Sequence, residues 1–341
     1  MAEIKITQDD HYCTFSTFGV TPENPSGTKI VYTLFREVPQ NGKKNAAAEL
    51  VVCDIDGKNP FKLCDVSKIN AHNGARAIWI DDRTLLYWDD SHTKVRTIDG
   101  TLLYAKYGYP GESTYKDNMI VYHPDYADSS DGIYTLNTTT GDYTKIVSHF
   151  DFASFKHLMD GPDHPGDWRI THPRFNRTGD KIACALRTKS HYLFICNADG
   201  SNIQFFGKKP MHWDWYDERS IIGQDNQGLD GLPSDLTARI WDLSGRWIED
   251  AAGVGNHLAY SPDGAYLASD SWYHTSPIVL KWYKKGSLEG EPIFSSPYAS
   301  AVWENGGAHV NPAFSRDGSR IYYTKPVGPN LVHGYYYQLT V

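Results

Sequence analysis

Paired cysteines, a membrane-length apolar run and an excess of basic residues are all missing from this 341-residue sequence. Its five cysteines, Cys13, Cys53, Cys64, Cys184 and Cys196, are odd in number and lack CxxC spacing. That excludes a disulfide framework and a zinc knuckle, and leaves buried free thiols of a reducing compartment. No stretch could span a bilayer, and Met1-Ala2-Glu3-Ile4-Lys5-Ile6 carries no apolar signal-peptide core. The chain therefore reads as soluble and cytoplasmic, or as periplasmic or secreted if a leader has been removed. Asp and Glu (41) outnumber Lys and Arg (33), giving a formal net charge of −8. A nucleic-acid partner would need the opposite balance. Sustained helical periodicity is hard to find, as are several catalytic signatures: a Gly-x-Ser-x-Gly elbow, a Walker loop, HExxH and a dinucleotide fingerprint.

What the chain has is aromatic residues (13%, with 23 Tyr and 10 Trp) in short strands punctuated by turns. Two kinds of turn alternate. One follows an alternating strand: Asp56-Gly57, Asp99-Gly100, Thr140-Gly141, Asp199-Gly200 and Ser244-Gly245. The other precedes an apolar strand: Pro25-Ser26-Gly27, Asp81-Asp82-Arg83, Lys116-Asp117, Thr178-Gly179, Asp217-Glu218, Ser261-Pro262-Asp263-Gly264 and Ser315-Arg316-Asp317-Gly318. About seven units of roughly 35–60 residues result, the period of propeller blades. The expectation is an all-β, seven-bladed β-propeller forming a single domain over residues 1–341. Its last unit is one strand short, and Glu3-Ile4-Lys5-Ile6-Thr7 is a spare strand that can close it. Two inserts interrupt the rhythm, residues 150–171 and 224–237, and long loops in compact domains tend to be functional or disordered.

Histidine falls repeatedly just before the first turn of a unit. His172 and His257 lie six residues before Thr178 and Asp263, and His212 five before Asp217. Asn311 lies six before Asp317, with His309 two further out, on the same face of an alternating strand. His72 precedes the strand Ala75-Arg76-Ala77-Ile78-Trp79-Ile80. First strands line a propeller's central channel, so its entrance would collect imidazoles from five blades. Such a ring suits a divalent transition metal or a general base. Arg76, Arg187 and Lys189 supply nearby cations, and Trp79, Trp168, Trp213, Trp215 and Trp303 are aromatic platforms for sugars or core fillers. Asp89-Asp90 is an acidic pair of the kind a glycosidase uses.

The stretch from His309 through Phe314-Ser315-Arg316-Asp317-Gly318, together with His257 before Ser261-Pro262-Asp263-Gly264, resembles the seven-bladed propeller polysaccharide lyases. Oligogalacturonate lyase is the nearest by motif, with ulvan and rhamnose–glucuronate lyases as related alternatives. The resemblance implies a divalent cation (manganese, or calcium) at His257, His309 and Asn311. Asn311 stands where the family has a histidine, Gly306 where it has a glutamine, and Arg187 about where it has its catalytic histidine. His72 and His92, twenty residues apart, resemble the histidine pair of the ulvan and rhamnose–glucuronate lyases.

These readings converge on a lyase that cleaves a small anionic, uronate-containing oligosaccharide by β-elimination. The expected base is His72 or His92, with Arg187 and Arg76 facing the carboxylate and Tyr122, or Tyr126, as acid. Arg76, His172, His212 and Trp213 would line the substrate pocket. The alternatives are a glycosidase or other sugar-processing enzyme, and a non-catalytic propeller that binds a glycan or a protein.

Overall fold

In the computed structural model the chain forms seven four-stranded sheets, and six of them are built from strands consecutive in sequence. The described residues are 3–7, 11–39, 46–124, 131–161, 164–208, 210–225, 237–253, 255–271, 276–298 and 307–339. The first sheet comprises β2 (Tyr12–Thr14), β3 (Lys29–Phe35), β4 (Ala46–Asp54) and β5 (Phe61–Ile69). The second comprises β6 (Ile78–Trp79), β7 (Thr84–Asp89), β8 (His92–Thr97) and β9 (Leu102–Tyr107). The third runs β10 (Tyr109–Tyr115), β11 (Asn118–His123), β12 (Gly132–Asn137) and β13 (Tyr143–Val147). The fourth runs β14 (Arg169–Phe175), β15 (Lys181–Arg187), β16 (His191–Asn197) and β17 (Gln204–Lys208). The fifth holds β18 (Met211–Asp217), β19 (Ser220–Gln224), β20 (Ala238–Asp242) and β21 (Trp247–Ala252). The sixth holds β22 (Leu258–Tyr260), β23 (Tyr266–Asp270), β24 (Ile278–Lys284) and β25 (Glu291–Ser296).

The seventh sheet is the exception. Its order is β1 (Glu3–Lys5), β28 (Leu331–Gln338), β27 (Arg320–Gly328) and β26 (Ala313–Phe314). The spare N-terminal strand closes the last blade, with Ile4 opposite Tyr336. Glu3 holds the seam: its Oε1 accepts from the Tyr323 hydroxyl at 2.6 Å and from Lys325 Nζ at 2.8 Å. These sheets make a seven-bladed β-propeller.

The turns explain why the repeat was legible. In Asp199-Gly200 the aspartate accepts the Ser201 N–H at 2.9 Å, and Gly200 takes φ +83°. A Cβ there would stand 1.8 Å from the Ile146 carbonyl, so glycine is required twice over. In Ser315-Arg316-Asp317-Gly318, Asp317 accepts from the Ser315 hydroxyl at 2.6 Å and the Ser319 N–H at 2.9 Å. The acid of each turn is spent on the turn itself.

Packing divides the chain into two units, residues 1–105 with 236–238 and 251–341, and residues 106–235 with 239–250. In the first, Phe15, Tyr32, Tyr322 and Tyr336 anchor one core cluster and Phe294, Phe314 and Tyr323 another. In the second, Phe152, Trp168 and Phe194 anchor one, and Trp213, Trp215 and Trp241 another. The insert at 150–171 is not an open loop. It folds into two 3₁₀ segments, His149–Leu158 and Pro165–Asp167, and buries Phe152 at 4.7 Å from the Phe194 ring centroid. Most of the 224–237 insert lies outside the described residues. No helix among the described residues is long and apolar enough to cross a membrane.

Candidate functional site

A backbone feature underlies the histidine spacing. Gly19, Arg76, His172, His212 and Asn311 all have φ between +46° and +74°. Each lies four to six residues before its unit's first turn, and at His172 and His212 the strand register shifts as in a bulge. Asparagine and histidine enter the left-handed region more readily than most residues. Part of the recurrence is therefore conformational, a residue suited to a bend that several blades share.

The first unit gathers three imidazoles. Nε2 of His257 lies 2.8 Å from Nδ1 of His309, and the His72 and His309 ring centroids are 3.7 Å apart at a tilt of 57°. His257 and His309 are buried, whereas His72 is half-buried and forms the accessible face of the group. Behind His257 stands Asp270, buried at the end of β23, with Oδ2 2.9 Å from Nδ1. The Phe18 ring also packs against His257, centroids 5.5 Å apart.

His309 and Asn311 do not share a strand face. They precede β26 in an irregular stretch, and the left-handed turn at Asn311 breaks the alternation expected of an extended strand. His309 faces His257, while the Asn311 amide donates to the Ser16 carbonyl at 3.1 Å and the His72 carbonyl at 3.0 Å. That side chain fixes the main chain of His72. Its Oδ1 is buried with no hydrogen-bond partner among the described residues, an acceptor suited to a ligand hydroxyl.

The donors implied for a metal do not fit a manganese centre. Two imidazole nitrogens 2.8 Å apart are at hydrogen-bonding distance. No group of three His, Cys, Asp or Glu side chains among the described residues could hold an ion. One amide oxygen does not make up the shortfall, and Gly306 lies outside the described residues.

The second unit holds His172 and His212, each with partners of its own. Nδ1 of His172 lies 2.6 Å from Oε1 of Glu112. The other oxygen of Glu112 accepts from Nε of Arg174 at 2.7 Å, and Arg174 also bonds Asp214 at 2.7 Å. Glu112 and Arg174 are buried, while the His172 side chain keeps 37% of its surface exposed. His212 sits 3.5 Å from the Gln224 side-chain oxygen. Neither the acids nor Arg174 stood out in the sequence, because the three lie far apart along the chain and carry no motif.

Several of the remaining candidates take structural places. His92 directs Nδ1 to the Asp90 carbonyl at 2.8 Å. Asp89 is buried and accepts from Ser67 N–H at 2.7 Å and Lys94 Nζ at 2.6 Å, and Asp90 pairs with Lys68, so the acidic pair is committed. Tyr122 belongs to a core cluster, its ring centroid 5.8 Å from that of Tyr109, too enclosed to act as an acid on a sugar. Tyr126 and Trp303 lie outside the described residues. Trp79, Trp168, Trp213 and Trp215 are buried core fillers rather than platforms, Trp213 lying under the Arg174 guanidinium at 5.7 Å. Arg187 is exposed at the end of β15, opposite Arg169. Arg76 is half-buried four residues beyond His72. Of the cysteines, Cys64 is half-buried and the rest are buried, and burial pushes the Cys53 and Cys196 thiols up to about 12, as inert thiols require.

No family model and no curated protein matches the sequence. Solved structures do. An oligogalacturonate lyase in complex with manganese is 13% identical, with a TM-score of 0.64 over 98% of this chain and 92% of that one. An oligogalacturonate lyase from Vibrio parahaemolyticus is 10% identical, with a TM-score of 0.69 over 98% and 93%. The chain shares the fold of the oligogalacturonate lyases. A structure of the mitotic checkpoint complex contains a similar chain, 12% identical with a TM-score of 0.58 over 99% and 93%. At such identities the likeness establishes the propeller, a fold that carries enzymes and binding proteins alike.

Proposed function

We propose that this chain is a lyase that cleaves a small uronate-containing oligosaccharide by β-elimination, with His72 as the base. One observation supports it most: a half-buried imidazole packed at a tilt against a buried imidazole pair that ends on a buried carboxylate. Such a backing fixes the exposed ring and supplies a polar, water-poor setting for proton transfer. The likeness to two oligogalacturonate lyases adds support of a weaker kind.

The step follows from this placement. Nitrogen of His72 takes the proton on the carbon α to the uronate carboxylate, and the released pair forms the double bond. The β carbon–oxygen bond breaks, and the leaving oxygen takes a proton, which protonated His72 can return. Charge building on the carboxylate needs a cation, and Arg76 is the guanidinium nearest in sequence to the base. Against a formal net charge of −8, such local cations must provide the attraction for an anionic sugar. The donors at His257, His309 and Asn311 do not assemble a metal site, so no step runs through an ion.

A glycosidase finds less support, since Asp89 and Asp90 are engaged by Ser67, Lys94 and Lys68. The test is ultraviolet absorbance of the unsaturated uronide, followed on a panel of uronate oligomers with and without Mn²⁺ or Ca²⁺. A rise that His72→Ala abolishes is the expected result. No rise on any uronate would sink the proposal and leave a binding propeller.

A further inference from the structure

Asp270 carries no sequence signal, yet it decides which nitrogen of each neighbouring imidazole bears hydrogen. Its oxygens lie 2.9 and 3.2 Å from Nδ1 of His257, and Oδ1 accepts the His257 backbone N–H at 2.6 Å. A carboxylate can only accept, so neutral His257 holds its hydrogen on Nδ1 and presents a lone pair at Nε2. Nδ1 of His309, 2.8 Å from that lone pair, must then be the donor. The Asn256 amide nitrogen, 3.2 Å from Nδ1 of His257, competes for the opposite tautomer. A charge-assisted bond spread over two carboxylate oxygens outweighs one amide N–H. The hydrogen bonds therefore run one way, from His309 to His257 to Asp270.

We infer that Asp270, His257 and His309 form a hydrogen-bonded column that stands in place of the manganese centre implied by the family resemblance and holds His309 as a floor beneath His72. Asp270 is then a positioning residue of the site. The existence of the column is independent of the lyase proposal, while its effect on turnover rests on that proposal. The geometry behind it is the 2.8 Å imidazole pair, the carboxylate behind it, and the absence among the described residues of three His, Cys, Asp or Glu side chains placed to hold an ion.

Nitrogen NMR of histidine-labelled protein reads which ring nitrogen bears hydrogen. The wild-type protein should show His257 and His309 both with hydrogen on Nδ1, and micromolar Mn²⁺ should leave their signals unchanged. Asp270→Asn places an amide N–H before Nδ1 of His257 and should reverse both tautomers in a protein whose circular dichroism is unaltered. On a cleaved uronate the same change should lower kcat by about 10–100-fold with KM little affected. Broadening of the two signals by micromolar Mn²⁺, or unchanged tautomers in Asp270→Asn, would overturn the inference. Should Asp270→Asn fail to fold, His309→Gln tests the column from its other end. His257 must keep hydrogen on Nδ1 in that variant, and a switch to Nε2 overturns the column. If the wild-type protein cleaves no uronate, the lyase proposal falls and the ring spectra still decide whether the column exists.

Discussion

Arg174 donates through Nε to Oε2 of Glu112 at 2.7 Å, with both side chains buried. The same guanidinium bonds Asp214 at 2.7 Å, so one cation serves acids from β10 and β18. Removing it takes the guanidinium from two carboxylates and leaves the His172 ring on Glu112 and the Trp215 N–H on Asp214. Arg174→Met should cost about 3–5 kcal/mol in urea unfolding. Adding Glu112→Gln and Asp214→Asn to Arg174→Met should recover part of that loss, because the uncompensated charges go with it. A triple variant no more stable than Arg174→Met would show that packing on Trp213, not charge, sets the cost.

His72 and His92 are equal candidates in sequence, and the structure separates them. His72→Ala should lower β-elimination by about 10²–10⁴-fold, the usual share of a general base. Its melting temperature should stay near the wild-type value, because the ring is half-exposed. Parallel assays of His92→Ala rank the two: a larger loss there would move the base to His92.

Acid should weaken the second unit through Asp131. Burial raises its carboxyl pKa, but the bonds from the His149 N–H and ring and from Lys145 outweigh that and leave it below the ordinary carboxylate value. A depressed folded pKa contributes stability that is complete above the unfolded value, about 4, and disappears as pH falls through the folded value. Denaturation followed from pH 5 downward should therefore lose stability less steeply in Asp131→Asn than in wild type. Equal slopes would remove Asp131 from the account.

Two glycines separate strain from collision. Gly100 has φ +95° with nothing within 4 Å of the place an added methyl group would take, whereas a Cβ at Gly200 meets the Ile146 carbonyl at 1.8 Å. Both Ala variants place an L-residue where φ is positive, which costs about 1 kcal/mol. Gly200→Ala should cost clearly more, and thermal unfolding of the two side by side measures the difference.

The fold was readable because its determinants are local. Aspartate and glycine in Asp199-Gly200 build the turn they occupy, and the seven turns that precede an apolar strand give the blade count. The closing strand was readable too, as a strand without a partner meeting a unit short of one. The candidate site was readable by halves. His72, His257 and His309 stood out because imidazole is rare and their spacing recurs. Asp270 sits at a strand end where aspartate is commonplace, thirteen residues from His257. Glu112 lies 60 residues from His172 and 62 from Arg174. The Glu112 pairings join two neighbouring blades and the Asp270 pairing joins two strands of one blade, and no periodicity within a single strand records either. The recurring histidine position also misled, since at His172 and His212 it coincides with a left-handed bend that suits histidine for conformational reasons.

The pairing of Glu3, Ile4 and Lys5 with Tyr337, Tyr336 and Tyr335 has a consequence for biosynthesis. Strand β1 must wait for a partner made more than three hundred residues later. At about 5–20 residues per second that interval lasts roughly 15–70 seconds, during which β27 and β28 do not yet exist and β1 has no mate. The growing chain therefore carries β1 unpaired until β28 has been made, and only then can the last blade be completed.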